Sequence, residues 1–101
     1  MINAKQRSFL TGLASKDTVF TQLGKGGPTE AFVAQLATLL ERHELVKVKF
    51  VDFKDQKKEI SASLAQATSS ELVRVIGNTA IFFRQHPDPE KRSIELPEAA
   101  R

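Results

Sequence analysis

The stretch LGKGGPTEAF, Leu23 to Phe32, sets three glycines and one lysine just ahead of an apolar helical pattern. Glycines let a backbone turn sharply and approach a ligand closely, and unpaired N–H groups at a helix start carry partial positive charge. Lys25 adds a full and mobile charge. Gly24, Lys25, Gly26 and Gly27 therefore suit a phosphate group. The spacing is not the GxxxxGK[ST] of nucleoside-triphosphate loops, nor the GxGxxG of dinucleotide sites. The competing reading of the same residues is a tight strand-to-helix turn that binds nothing.

Chemistry other than binding finds few groups. The chain has no Cys and no Tyr, and only two His. No nucleophile has an adjacent base, so catalysis is not expected. His43 falls near a helix end and His86 beside a proline, which makes a metal site improbable, and no cofactor is implied. Charge points elsewhere: 15 Lys and Arg face 12 Asp and Glu, for a net +3 and a pI near 9.5. The excess sits in residues 1–84, while the segment from Gln85 to Arg101 is slightly acidic. Such a balance fits a polyanionic partner.

With 101 residues, 41% of them hydrophobic, the chain holds one small domain. We place that domain at 1–84 and read 85–101, with its three prolines, as an extended tail that docks Ile94 and Leu96. There is no apolar run of membrane-spanning length and no charged-then-apolar leader. A cytoplasmic, monomeric protein without membrane contact is expected.

The elements that must carry the loop follow from periodicity. Asn3 can cap a helix to about Ala14, with Gln6, Phe9, Leu10 and Leu13 on one stripe. Thr18 to Leu23 reads as a strand, and a second helix begins near Pro28 and ends near Arg42. ELVKVKFVDF from Glu44 predicts a long strand, and Asp55 a cap for a third helix carrying Ile60, Leu64 and Ala67. ELVRVIG and AIFFR flank a turn at Gly77 and Asn78, which predicts a hairpin. The fold class is therefore a two-layer α/β domain, α-β-α-β-α-β-β, with a four-stranded mixed sheet.

Alternation along the strands predicts a basic outer face. Val46, Val48 and Phe50 alternate with Lys47 and Lys49, Val73 and Val75 with Arg74, and Ile81 and Phe83 with Phe82 and Arg84. Lys47, Lys49, Arg74 and Arg84 are expected on one open face beside Leu45, Leu72, Ile76 and Phe82. Solvated residues of a half-exposed sheet would give the same pattern, but four cations without an acid favour a binding face.

Gly24–Gly27 has the GxxG form with which modules of the KH type clamp a sugar-phosphate backbone. AKQRSFLTGLA, QLGKGGPTEAFV, HELVKVKF, LVRVIGNTAIFFR and IELP, in this order, resemble the CRM (chloroplast RNA splicing and ribosome maturation) family in its bacterial stand-alone form. The resemblance spans nearly the whole chain. It implies a fold similar to the C-terminal domain of translation initiation factor three. It also implies RNA binding, with ribosomal RNA and precursors of the large ribosomal subunit as partners. By the same resemblance Gly24 to Gly27 take the place of the RNA-contacting loop, Lys5, Gln6 and Arg7 the basic start of the first helix, and Lys47 and Lys49 the basic positions of a strand. Two departures stand out: Phe83 where the family usually has Tyr, and Ser69 or Ser70 where Gly is frequent. The rival class is a protein-interaction module, which predicts binding insensitive to salt and to Lys25→Ala.

Overall fold

In a computed structural model, which describes residues 2–16 and 18–97, the first helix starts from a reciprocal cap. Asn3 Oδ1 accepts from the Gln6 N–H at 2.8 Å, and Gln6 Oε1 accepts from the Asn3 N–H at 3.1 Å. These bonds satisfy two donors that a helix start leaves orphaned and begin α1, Ala4–Ala14. Strand β1, Phe20–Leu23, leads through the glycine loop to α2, Glu30–His43, capped by Thr29 with Pro28 one residue ahead of the cap. Strand β2, Leu45–Phe50, follows directly. A 3-10 turn at Lys54–Gln56 precedes α3, Lys57–Ala67, so Asp55 lies inside that turn and the N-cap of α3 is Gln56. Strands β3, Glu71–Ile76, and β4, Thr79–Phe83, form the hairpin, whose turn needs Gly77 at φ 56.

The expected α/β order and mixed four-stranded sheet are present, in the spatial order β1-β2-β4-β3. β1 pairs parallel with β2, and β4 enters antiparallel between β2 and β3. That insertion makes β4 a central strand. Its run Ala80, Ile81, Phe82, Phe83 is buried throughout, as expected when both faces are covered.

Both faces are indeed covered, though unequally. One core joins Val46, Val48, Phe50, Ala80 and Phe82 to Leu36 and Leu40 of α2 and Leu64 of α3. The other joins Leu45, Val73, Ile81 and Phe83 to Leu10 and Ala14 of α1, with Ile94 and Leu96 of the tail packed against it. Helix α1 thus lies on the face opposite α2 and α3, and adds a partial third layer to the two expected. Residues 98–101 of the tail lie outside the described residues.

Two register facts correct the expected facing of side chains. Val46 pairs with Phe82 and Lys47 with Ile81, so Phe82 belongs under α2 and α3, and Ile81 and Phe83 share the face of the lysines. The β3–β4 register shifts between Leu72 and Arg74. This bulge leaves Leu72 and Val75 packed against the α2–α3 core and turns Val73 to the α1 side.

The end of α3 explains one departure from the family pattern. Ser70 N–H donates to Ala65 O at 2.9 Å and Ser69 N–H to Gln66 O at 3.3 Å, the paired bonds of a Schellman stop, with Ser69 at φ 54. Position 69 is therefore where glycine relieves strain. Ser69→Gly raises stability by about 0.5–1 kcal/mol, read as an upward shift of Tm, because the left-handed penalty exceeds the added chain entropy.

Candidate nucleic-acid interface

The glycine loop is a closed turn tied to the next strand. Gly27 N–H donates to Gly24 O at 3.0 Å, which puts Lys25 and Gly26 at the tip, and Thr29 N–H donates to Gly27 O at 2.9 Å. Leu23 O accepts from Val51 N–H at 3.0 Å, anchoring the loop base where β2 ends. Its glycines divide into two kinds. Gly27 is buried at φ +70, and a Cβ there would sit 3.2 Å from two atoms of the Phe53 ring. Gly27→Ala should therefore cost about 1–3 kcal/mol in thermal or denaturant unfolding.

Gly24 and Gly26 answer no such demand. Both are exposed, neither has a positive φ, and an added Cβ would meet nothing within 4 Å. At the helix mouth, Thr29 Oγ1 takes the Phe32 N–H at 3.1 Å and Glu30 places an acid in the first turn. The positive character of this corner thus comes chiefly from Lys25 and the backbone rim of the turn, less from the helix start.

Beside the loop the sheet face carrying α1 is left half open. Across the strands one row reads Phe20, Lys47, Ile81, Arg74, and the next, nearer the loop, Gln22, Lys49, Thr79, Ile76. Neither row contains an acid. Lys49 and Arg74 are exposed and Lys47 is half-buried. Phe20 is 59% exposed and Ile76 51%. The hairpin tip joins this end, since Phe50 N–H donates to Asn78 O at 2.7 Å, and Lys57 Nζ lies 3.4 Å from Asn78 Oδ1. Lys25, Lys49 and Lys57 thus share one end of the sheet.

The remaining candidates are placed elsewhere. Arg84 lies one residue past Phe83, which pairs with Leu45 at the far end of β2, and its neighbours include Leu40 and Glu41 of α2. It therefore stands apart from Lys47, Lys49 and Arg74. The Arg7 guanidinium donates to the carbonyls of Leu72 and Val73, filling acceptors that the bulge exposes. Gln6 Nε2 donates to Pro97 O at 2.9 Å, holding the tail. Lys5 is exposed on the same first turn, away from the loop. Gln6 and Arg7 thus make hydrogen bonds inside the fold, and the structure does not bring them to the glycine turn.

Two residues of consequence were not among the sequence candidates. Phe20 begins the edge strand and faces out beside Lys47. Glu44, 1% exposed and strained at φ 63, receives four hydrogen bonds from the tail. Its Oε1 accepts from Ser93 N–H at 2.8 Å, Ser93 Oγ at 3.0 Å and Ile94 N–H at 3.0 Å, and its Oε2 from His86 N–H at 2.7 Å. Burial pushes the Glu44 carboxyl up, but those bonds from His86, Ile94 and Ser93 outweigh it and hold the carboxyl below its ordinary range.

Among the described residues no group of His, Cys, Asp or Glu side chains could hold a metal ion, and no helix is long and apolar enough to cross a membrane. Comparison with known proteins settles the family. Residues 2–84 match the CRS1 / YhbY (CRM) domain. A Bacillus subtilis relative named "Probable RNA-binding protein YqeI" is 35% identical, covering 96% of this chain and all of the relative. A Haemophilus influenzae protein named "RNA-binding protein" is 32% identical over 95% of each chain. The solution structure of a hypothetical Staphylococcus aureus protein, 41% identical, superposes with a TM-score of 0.76 over 96% of this chain and all of the other. The chain belongs to the CRM family of RNA-binding domains.

Proposed function

We propose that this protein is an RNA-binding factor that associates with precursors of the large ribosomal subunit and assists their assembly, acting in the cytoplasm as a monomer. The observation that carries the binding mode is the pair Gly24 and Gly26, glycines that the fold does not require, flanking Lys25 beside two acid-free rows of the sheet. The turn receives a phosphate with its backbone and Lys25. Lys47, Lys49 and Arg74 continue the contact across the open half-face, positioning RNA through its backbone with modest sequence preference. The names of the relatives support RNA as the ligand, and the family resemblance supports the ribosomal setting.

Crosslinking in living cells, followed by sequencing of the attached RNA, tests the proposal. Enrichment of precursor large-subunit RNA is expected. Recovery of other RNAs alone would move the function outside the ribosome, and recovery of none would favour a protein partner.

A further inference from the structure

We infer that Phe20 is a stacking platform for the base of an unpaired nucleotide, so that the open half-face selects single-stranded over duplex RNA. The inference rests on the RNA-binding reading above and adds to it the class of RNA that this face takes.

Phe20 stands on the edge strand with 59% of its surface exposed, and it contributes to neither core. A single exposed apolar side chain is ordinary on a protein surface, but this one is an aromatic ring on an open sheet edge, where a partner can reach it. Its surroundings say which partner. In its own row it pairs with Lys47, and beyond the buried Ile81, 3% exposed, stands Arg74. The next row adds Lys49. An aromatic face beside Lys47 and Lys49, in rows that also carry Arg74 and, among the described residues, no acid, complements a ligand that is itself a flat ring joined to anions. A nucleotide has that chemistry, whereas an apolar protein surface would leave the cations unpartnered.

The distances suit one short strand. Phe20 and Gly24 are about 13 Å apart along β1, and Phe20 and Arg74 about 14 Å apart across three strand spacings. A strand whose phosphate rests on the glycine turn can thus present a base to Phe20 and a further phosphate toward Arg74. Duplex RNA cannot do the same, because its base faces are already stacked, although its phosphates still meet Lys25 and Lys49. Stacking on Phe20 is therefore the part of the contact that separates the two forms.

The absence of Trp and Tyr from the chain supplies a direct probe. Phe20→Trp introduces a single indole, and its emission is followed while the full chain is titrated with a single-stranded oligoribonucleotide or with a duplex of the same composition. Single strand should quench the indole strongly and duplex should not. Phe20→Ala should weaken single-strand binding about tenfold, leave duplex binding within twofold and keep Tm within a few degrees, while Phe20→Tyr retains the wild-type affinity. Single-strand binding without quenching, or equal behaviour of Phe20→Ala on both ligands, overturns the platform. If Phe20→Ala changes nothing while Lys25→Ala weakens both ligands, only the stacking inference falls. If the wild type binds neither RNA, the RNA-binding reading falls with it.

Discussion

Glu44→Gln should unfold about 10 °C below the wild type at neutral pH. The carboxylate is buried and accepts four hydrogen bonds, three from backbone N–H groups of the tail. A glutamine keeps one acceptor oxygen but turns an amide donor toward a donor, so about 2 kcal/mol is lost. For a domain of this size that corresponds to the stated shift. Backbone strain at position 44 is the same in both proteins and cancels. The pH dependence follows from the lowered pKa. A carboxyl whose folded pKa lies below its ordinary value near 4.5 contributes stability that is fully present above that value and is lost as pH falls through the folded pKa. The gap between wild type and Glu44→Gln should therefore be wide at pH 7 and close in acid below pH 4.5, as read by thermal melts across pH. Limited proteolysis should cut the variant first in residues 85–97, since the tail has lost its anchor.

Lys25→Ala combined with Gly26→Glu should lower RNA affinity by about ten- to hundredfold in a filter-binding or anisotropy titration. Lysine removal deletes a phosphate contact, and the glutamate adds bulk and negative charge where an anion must sit. The fold has little to lose, because both residues are exposed and a Cβ at position 26 meets nothing. Tm should stay within a few degrees. The slope of log affinity against log salt should also become shallower, by close to one unit for each phosphate contact removed. A loss of affinity with an unchanged slope would mean that the turn acts by shape alone.

The contrast between these two sites shows what a sequence makes legible. Helix α2 and the glycine turn are local: an apolar stripe, an acid in the first turn and a run of glycines within 20 residues, readable without any partner, although Thr29 is the cap and Pro28 precedes it rather than opening the helix. The hairpin was equally plain from Gly77 and Asn78. Facing in β4 was not, because Ile81, Phe82 and Phe83 are all apolar and alternation says nothing when a strand is covered on both sides. The bulge at Leu72 to Arg74 reversed part of β3 for a similar reason, since a register shift depends on the partner strand. Arg7, which the resemblance places at the basic start of the first helix, is instead spent on the two carbonyls that this bulge exposes. Glu44 read as the first residue of a strand, while its partners His86, Ser93 and Ile94 lie more than 40 residues on. Phe20 looked like an ordinary strand residue; only the position of β1 at the sheet edge, with α1 over the other half of its face, leaves it exposed.

Gradient sedimentation of cell lysate tests the central claim most directly, with native protein and the Lys25→Ala, Gly26→Glu variant followed across ribosomal fractions at low and moderate salt. The account predicts that native protein travels with large-subunit precursors, leaves them as salt rises, and that the variant stays at the top of the gradient. Native protein at the top in every salt, or a variant that sediments as the native protein does, would contradict it.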